Sequence, residues 1–241
     1  MRIVVANVNT TERVTEAIGV QASSVAAPGT EIAAVTPSFG AASVEGNFES
    51  YLAAVGVMDR VSAVTEPFDA VVLAGFGEHG KEGLAELFEV PVVDITEAAA
   101  HTASLLGRRY SVVTSLHRTT GQIRDRLALT GLDSRCASVR ATGVPVLDLE
   151  NDLDSTAEHI AREAQQAIEV DGAEVICLGC AGMAGLDERV SERIGAPVVD
   201  GVTAAVGLAE TLVRLGLKTS KVGGWATPLS KEISGWPLSG R

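Results

Sequence analysis

The sequence predicts an α/β protein made of two pseudo-symmetric, doubly wound parallel-sheet domains with the active site between them. Short β-branched runs alternate with amphipathic stretches along the 241 residues. The runs lack polar alternation, which is typical of strands covered by helices on both faces. Segments of the first half also recur in the second half, which indicates an internal duplication. Alternating strands and helices imply right-handed crossovers and parallel sheets.

Six apolar runs are predicted strands: Arg2–Ala6, Ala70–Ala74, Pro91–Ile95, Tyr110–Thr114, Glu174–Leu178 and Pro197–Asp200. Seven stretches have helical spacing: Glu12–Ala22, Phe48–Ala63, Thr96–Leu106, Thr120–Leu129, Ser155–Val170, Leu186–Ile194 and Thr203–Leu215. Several of them begin at Thr or Ser and end at Gly, as helices commonly do. The tail, with Trp225 and Trp236 among Pro and Gly, is predicted to be an extended arm.

Three pairs of similar segments support the duplication. The motif Pro-Val-Val-Asp occurs twice, 106 residues apart, and each copy precedes an alanine-rich helix. A strand, loop, Thr-Thr and helix unit recurs at a spacing of 108, and a strand with a glycine loop recurs at a similar spacing. We therefore predict one domain from 1–96 plus 206–241 and another from 97–205. Because ligands of open α/β sheets bind at the carboxyl ends of strands, the loops there are the predicted site.

Composition excludes several classes of function. The net charge of −12 and a pI near 4.8 disfavour binding to nucleic acid or to anionic membranes. No apolar run reaches the length of a membrane span, and three cysteines form no disulfide framework. We expect a soluble, cytoplasmic homo-oligomer that binds a small molecule.

Cys180 is the strongest catalytic candidate. It lies between glycines in Leu-Gly-Cys-Ala-Gly-Met, directly after a predicted strand and before a predicted helix. Backbone N–H groups at such a position favour the thiolate, which can abstract a proton or attack an electrophile. A small buried hydrophobe is the alternative. Cys177 and Cys180 also form Cys-x-x-Cys, but a zinc site needs further ligands that the spacing does not supply.

The loop Gly75–Gly80 matches the dinucleotide motif G-x-G-x-x-G, with Asp94 19 residues after its first glycine. NAD binding is one interpretation. The other is the duplication, since Asp94 has a counterpart in Asp200 and either carboxylate can cap the next helix. Within this loop His79 is a candidate general acid or base near neutral pH, with Glu78 as the second candidate. Asn9 and its neighbours can bind a polar ligand or cap a helix.

These residues resemble the hydantoin and allantoin racemases of the aspartate/glutamate racemase superfamily. The resemblance spans about residues 1–217 and rests on IVVANVNTT, SFG at 38–40, AGFGEHG, PVVDITEAAAH, VVTS and LGCAGM. It implies a duplicated α/β fold, no metal or cofactor, and proton removal and return at C5 of five-membered cyclic ureides. In the family two cysteines flank that carbon, one from each half. The second maps onto Cys180.

The first family cysteine falls at Gly75, which has no side chain. His79, or Glu78 through water, can replace it, and a single mobile base or a water molecule is the alternative. Two other functions stay open: a one-cysteine decarboxylase similar to arylmalonate decarboxylase, and an inactive ureide-binding protein. The resemblance to a racemase implies enolate stabilisation by N–H and hydroxyl donors, and packing of the C5 substituent by aromatic rings. The expected donors are Asn9, Thr114, Ser115 and the amides near Phe76–Gly77 and Ala181–Gly182, and the expected rings are Phe39 and Phe76.

Overall fold

The computed structural model describes residues 1–149 and 151–232. It contains two four-stranded parallel sheets, ordered β2-β1-β3-β4 and β6-β5-β7-β8, with helices around them, so the predicted fold class is confirmed. The strands are β1 Arg2–Asn7, β2 Glu31–Val35, β3 Ala70–Ala74, β4 Val92–Asp94, β5 Tyr110–Thr114, β6 Cys136–Ala141, β7 Val175–Leu178 and β8 Val198–Asp200. The helices are α1 Glu12–Val25, α2 Asn47–Ser62, α3 Lys81–Leu87, α4 Ile95–Leu106, α5 Thr120–Leu129, α6 Leu153–Glu169, α7 Asp187–Ile194 and α8 Gly201–Arg214.

All six predicted strands form, and their ends agree with the prediction to within one residue. The edge strands β2 and β6 were not predicted, because their sequences, EIAAV and CASVRA, mix small, charged and apolar residues. Both are largely half-exposed, so they lack the apolar pattern that identifies the buried strands.

The two sheets match residue by residue. Leu73 of β3 pairs with Asp94 of β4, and Leu178 of β7 pairs with Asp200 of β8. Counting onward from the two leucines, Gly75 and Cys180 occupy equivalent positions at the carboxyl ends of their strands. The register therefore makes Gly75 of the first half the positional equivalent of Cys180 in the second.

The two aspartates of the repeated motif begin equivalent helices. The Asp94 side chain accepts hydrogen bonds from the amides of Thr96 and Glu97 at the start of α4. Asp200 does the same for Val202 and Thr203 at the start of α8. This use of Asp94 as a helix cap agrees with the interpretation based on duplication.

Helices α4 and α8 join the two halves. They pack against one another, and α8 also packs on α1 and β3 of the first sheet. One hydrophobic cluster accordingly contains Val72 and Cys177 from the two sheets together with Ala99 of α4 and Val206 of α8. The return of α8 onto the first sheet is compatible with a boundary near 206, and the division into domains stays a prediction.

The chain after α8 runs along α3 and the loop that follows it. The Thr219 amide donates to the Glu89 carbonyl, and the Lys221 ammonium donates to the carbonyls of Ala85 and Glu86. Trp225 lies over Lys81, with the ammonium 4.3 Å from the ring centroid. Trp236, the other tryptophan of the predicted arm, lies outside the described residues. No helix in the described part of the chain has the length and apolarity of a membrane span.

Candidate active site

A small cleft of about 40 Å³ lies where the carboxyl ends of the central strands of both sheets meet. Most of the predicted site residues line it: Asn9, Gly75, Phe76, His79, Thr114, Ser115, Cys180, Ala181 and Gly182. Asn7, Val8 and Thr119 also line it and lie in the loops predicted at the strand ends, whereas Val14, Val44 and Val146 were not identified from the sequence. Phe39 and Gly77 are not part of the lining.

Cys180 follows β7 and begins a single turn of 3₁₀ helix, Ala181–Met183. Its side chain is half-buried in the cleft wall. The first two amides of the turn, at Ala181 and Gly182, have no acceptor among the described residues. They are therefore available to an oxyanion bound beside the thiol, in the way that helix N-termini bind anions.

His79 lies in the wall formed by the other half and is only 4% exposed. Burial lowers the pKa of its imidazole to about 4, against a smaller upward effect of a backbone hydrogen bond at Phe76. From the sequence we expect His79 to have the unperturbed histidine pKa near 6.5. Its buried position gives it a lower pKa instead. The imidazole is neutral at neutral pH, and its Nδ1 has no hydrogen-bond partner among the described residues. The imidazole is therefore present in its unprotonated form at neutral pH.

Gly75 has no room for a side chain. A Cβ built on it would lie 2.4 Å from Cδ2 of His79 and 2.4 Å from Cγ1 of Val8. Such a separation is far below van der Waals contact, so His79 and Val8 fill the space that a residue at position 75 would need.

Asn9 is held by a buried polar network. Asn7 Nδ2 donates to Asn9 Oδ1 at 3.0 Å and to Thr15 Oγ1 at 3.0 Å, and Asn7 Oδ1 accepts from the Asn9 amide. Asn9 Oδ1 also accepts from the amide of Thr11. Because Asn9 Oδ1 already accepts these two hydrogen bonds, the side-chain N–H₂ group of Asn9 is the part that can donate to a ligand in the cleft.

Two of the expected donors are already used. The Thr114 hydroxyl donates to the Gly179 carbonyl at 2.8 Å, and the Gly77 amide donates to Thr96 Oγ1 at 2.9 Å. The Ser115 hydroxyl, in contrast, has no partner among the residues that the structure describes. The donors left for a ligand are therefore Ser115, Asn9 and the amides of Ala181 and Gly182.

The apolar part of the lining differs from the expectation. Phe76 lines the cleft as expected. Phe39 does not line it, and the other apolar side chains of the lining are mostly valines. Val44 lies in the loop after β2 and Val146 in the loop after β6, so each follows an edge strand that the sequence did not predict. Asn7 directly follows the predicted strand Arg2–Ala6, so it lies in a loop that the strand-end rule assigns to the site.

Glu78 lies behind the cleft rather than in it. Its Oε1 accepts from the Gly80 amide at 2.9 Å, and its Oε2 accepts from Arg126 at 2.7 Å. Burial raises the pKa of Glu78, but its distance from the lining disfavours it as the second acid or base. No group of three His, Cys, Asp or Glu side chains among 1–149 and 151–232 is arranged to hold a metal ion.

The chain matches the family model Asp/Glu/Hydantoin racemase over residues 3–209. It is 40% identical to a hydantoin racemase of Pseudomonas sp. (strain NS671), over 98% of this chain and 95% of that protein. The allantoin racemase of Pseudomonas fluorescens has 65% identity and a TM-score of 0.96, over 98% of this chain and 100% of that one.

A second allantoin racemase, from Klebsiella pneumoniae, is 44% identical with a TM-score of 0.94, over 98% of this chain and 96% of that one. These matches cover the sheets, the cleft and both loops that carry Cys180 and His79. The chain therefore belongs to the Asp/Glu/hydantoin racemase family and is an isomerase.

Proposed function

We propose that the protein racemises 5-monosubstituted hydantoins, allantoin (5-ureidohydantoin) among them, by removing and returning the C5 proton with Cys180 and His79. One observation carries the proposal: Cys180 and His79 are the thiol and the imidazole among the cleft-lining side chains of the described chain, and each half supplies one. The names of the relatives give the substrate class. The lining needs no metal or organic cofactor for this reaction.

The reaction is a proton transfer at carbon. One group takes the proton from C5, and the electron pair left behind delocalises onto the neighbouring ring carbonyl as an enolate. The other group then gives a proton to the opposite face of C5, which inverts the centre. Donors aimed at the enolate oxygen supply most of the stabilisation in such reactions. The amides of Ala181 and Gly182, with Asn9 and Ser115, are suited to that task.

His79 is suited to serve the face opposite Cys180. Gly75 is the positional equivalent of Cys180 in the first sheet, and the His79 ring fills the space in front of it. A neutral imidazole has one unprotonated ring nitrogen, and a neutral His79 side chain in the cleft wall can use it to accept the C5 proton. Because burial lowers the pKa of His79 to about 4, its imidazolium is a stronger acid than an ordinary histidine, and its imidazole is a correspondingly weaker base.

The test is the loss of optical activity from single enantiomers. L-5-methylhydantoin and one enantiomer of allantoin are incubated with the protein, and circular dichroism is followed to zero. The controls are buffer alone, which measures spontaneous racemisation, and the Cys180→Ala variant. We expect loss of signal with the wild type only.

Two outcomes would refute the proposal. Release of carbon dioxide from an aryl malonate, with hydantoins left optically active, would indicate a decarboxylase. Binding of hydantoins, seen by calorimetry without any change in optical activity, would indicate an inactive ureide-binding protein. A cytoplasmic location and a homo-oligomeric assembly are separate proposals, which cell fractionation and sedimentation test.

A further inference from the structure

The two loops of the active site are fastened in different ways. In the second half, the loop after Cys180 is tied to its own sheet, because Asp200 Oδ2 accepts from the Gly185 amide at 2.9 Å. Gly80 is the equivalent of Gly185, and both have a left-handed backbone, with φ of 94° and 81°. The amide of Gly80, however, donates to Glu78, and Asp94 Oδ2 has no hydrogen-bond partner among the described residues.

The first loop is fastened instead by the other half. Arg126 of α5 is fully buried at its side chain and donates at 2.7 Å to Glu78, directly before His79. It also donates at 2.7 Å to Glu82 of α3 and at 2.5 Å to Glu97 of α4. The guanidinium thus joins the loop, α3 and α4 to the helix that follows the Ser115 loop.

We propose that Arg126 and Glu78 are positioning residues that set the place of the His79 imidazole relative to Cys180; this rests on the function proposed above. Glu78 links Arg126 to the loop because each of its two carboxylate oxygens accepts a different hydrogen bond. One oxygen holds the Gly80 amide and the other holds Arg126, so the residues on both sides of His79 are fixed. Neither residue touches the cleft, and both act through His79.

A purely structural ion cluster would give a different result. Four carboxylates surround Arg126, and removing a partner from a buried ion pair is costly wherever it lies in a fold. A merely structural role therefore predicts that equivalent carboxylates behave alike. Glu82 is the matched control, because it lies at the same 2.7 Å from the same Arg126 nitrogen and has a similar exposure, 39% against 38% for Glu78.

The experiment compares Glu78→Gln with Glu82→Gln. Each removes one negative charge next to Arg126. In Glu82→Gln the new amide keeps one oxygen for Arg126, the one donor from another residue that bonds to this side chain. In Glu78→Gln a single acceptor oxygen has to serve two donors, so either Gly80 or Arg126 is released. We expect kcat for racemisation to fall about tenfold or more in Glu78→Gln, since small displacements of a reacting group are costly, and by less than about twofold in Glu82→Gln.

Two further measurements separate positioning from stability and from the proposed function. In a His79→Gln background, Glu78→Gln should cause no additional loss of kcat, because residues that act through one another are not additive. The imidazole NMR signals of His79, assigned by their absence in His79→Gln, should shift in Glu78→Gln and stay in place in Glu82→Gln. This readout needs no activity, so it tests the positioning even if hydantoins are not racemised.

Equal effects of the two substitutions on kcat and on the His79 signals would overturn the inference. So would an additive loss of kcat in the double variant. A His79 signal that responds to Glu78→Gln, in a protein without racemase activity, would uphold the positioning and refute the function.

Discussion

Gly75 and His79 fit one another: a Cβ at Gly75 would lie 2.4 Å from Cδ2 of His79. Gly75 is the positional equivalent of Cys180, so the first half has no side chain at this position, and the imidazole of the same loop occupies the space beside it. The absence of a side chain at 75 and the presence of the ring at 79 are two parts of one arrangement.

This fit predicts that Gly75→Ala destabilises the protein. The added methyl meets both His79 and Val8, and overpacking of this kind costs about 1–3 kcal/mol. Gly207→Ala is the control, because a Cβ there meets nothing within 4 Å and the residue lies inside α8. The free energy of unfolding of that variant should be higher than that of the wild type by about 0.5–1 kcal/mol. Urea unfolding measures both. If Gly75→Ala were as stable as Gly207→Ala, the proposed packing would be incorrect.

The same fit predicts how a cysteine can be accommodated at position 75. Gly75→Cys alone should be destabilised like Gly75→Ala, whereas Gly75→Cys with His79→Ala removes the closest obstruction. We expect the double variant to recover part of the lost stability and to racemise faster than His79→Ala alone. A double variant no more active than His79→Ala would separate position 75 from the chemistry.

Removal of the thiol tests Cys180. Cys180→Ala should lower kcat by about 10²–10⁴, the usual contribution of a general acid or base, with an unchanged circular dichroism spectrum in the far ultraviolet. Cys136→Ala is the matched control, since Cys136 is half-buried and lies outside the cleft. Cys177→Ala should also keep its rate. Retention of more than about a tenth of the rate in Cys180→Ala would remove this residue from the mechanism.

The pH dependence of stability tests the two buried groups with shifted pKa values, Asp94 and His79. Burial raises the pKa of Asp94 to about 7, above the value near 3.9 of an unfolded chain. The folded state then binds this proton more tightly, so the contribution is present below about pH 4 and is lost as pH rises through 7. Asp94→Asn keeps the helix cap and removes the titration. The difference in free energy of unfolding between wild type and variant should fall by up to about 4 kcal/mol over that range.

His79 should give the opposite slope. Its pKa is lowered to about 4, so its contribution is present above pH 6.5 and is lost as pH falls towards 4. The free energy of unfolding of the wild type minus that of His79→Gln should therefore rise with pH between 4.5 and 7. Urea unfolding at several pH values measures both differences. Differences that do not change with pH would contradict the burial assigned to the two groups.

Most of the fold could be predicted because its signals are local. Buried strands, helix caps such as Asp94 and the repeated Pro-Val-Val-Asp motif can each be recognised within a few residues. The strand-end rule then located most of the cleft. The edge strand β6 has no such pattern, so it was not predicted. Val146 lies in the loop that follows β6 and was therefore not predicted as a cleft residue either.

The Arg126 cluster could not be predicted for a different reason. Arg126 contacts Glu78, Glu82 and Glu97, which are 29 to 48 positions away along the chain. No periodicity or motif connects them, and only the packing of α5 against the first half brings them together. The pKa of His79 has the same origin, because the burial that lowers it is a property of the tertiary fold.

The valines of the cleft predict a limit on substrate size. Val44 and Val146 come from opposite halves and narrow a cleft of about 40 Å³. Val44→Ala and Val146→Ala should raise kcat/KM for a hydantoin with a large C5 substituent, relative to the 5-methyl compound, by about tenfold. Val20→Ala, at an exposed site on α1, is the control and should leave the ratio unchanged. An unchanged ratio in both cleft variants would place the substituent elsewhere.

The central claim is that Cys180 and His79 exchange protons with opposite faces of C5. Deuterium incorporation at C5, measured by proton NMR in D₂O for each pure enantiomer with wild type and His79→Gln, tests it most directly. The account predicts that the wild type deuterates and inverts both enantiomers. His79→Gln should invert neither at more than about a hundredth of that rate, while exchange with retention persists for the enantiomer whose C5 proton faces Cys180. Inversion of both enantiomers by His79→Gln at the wild-type rate would contradict the account.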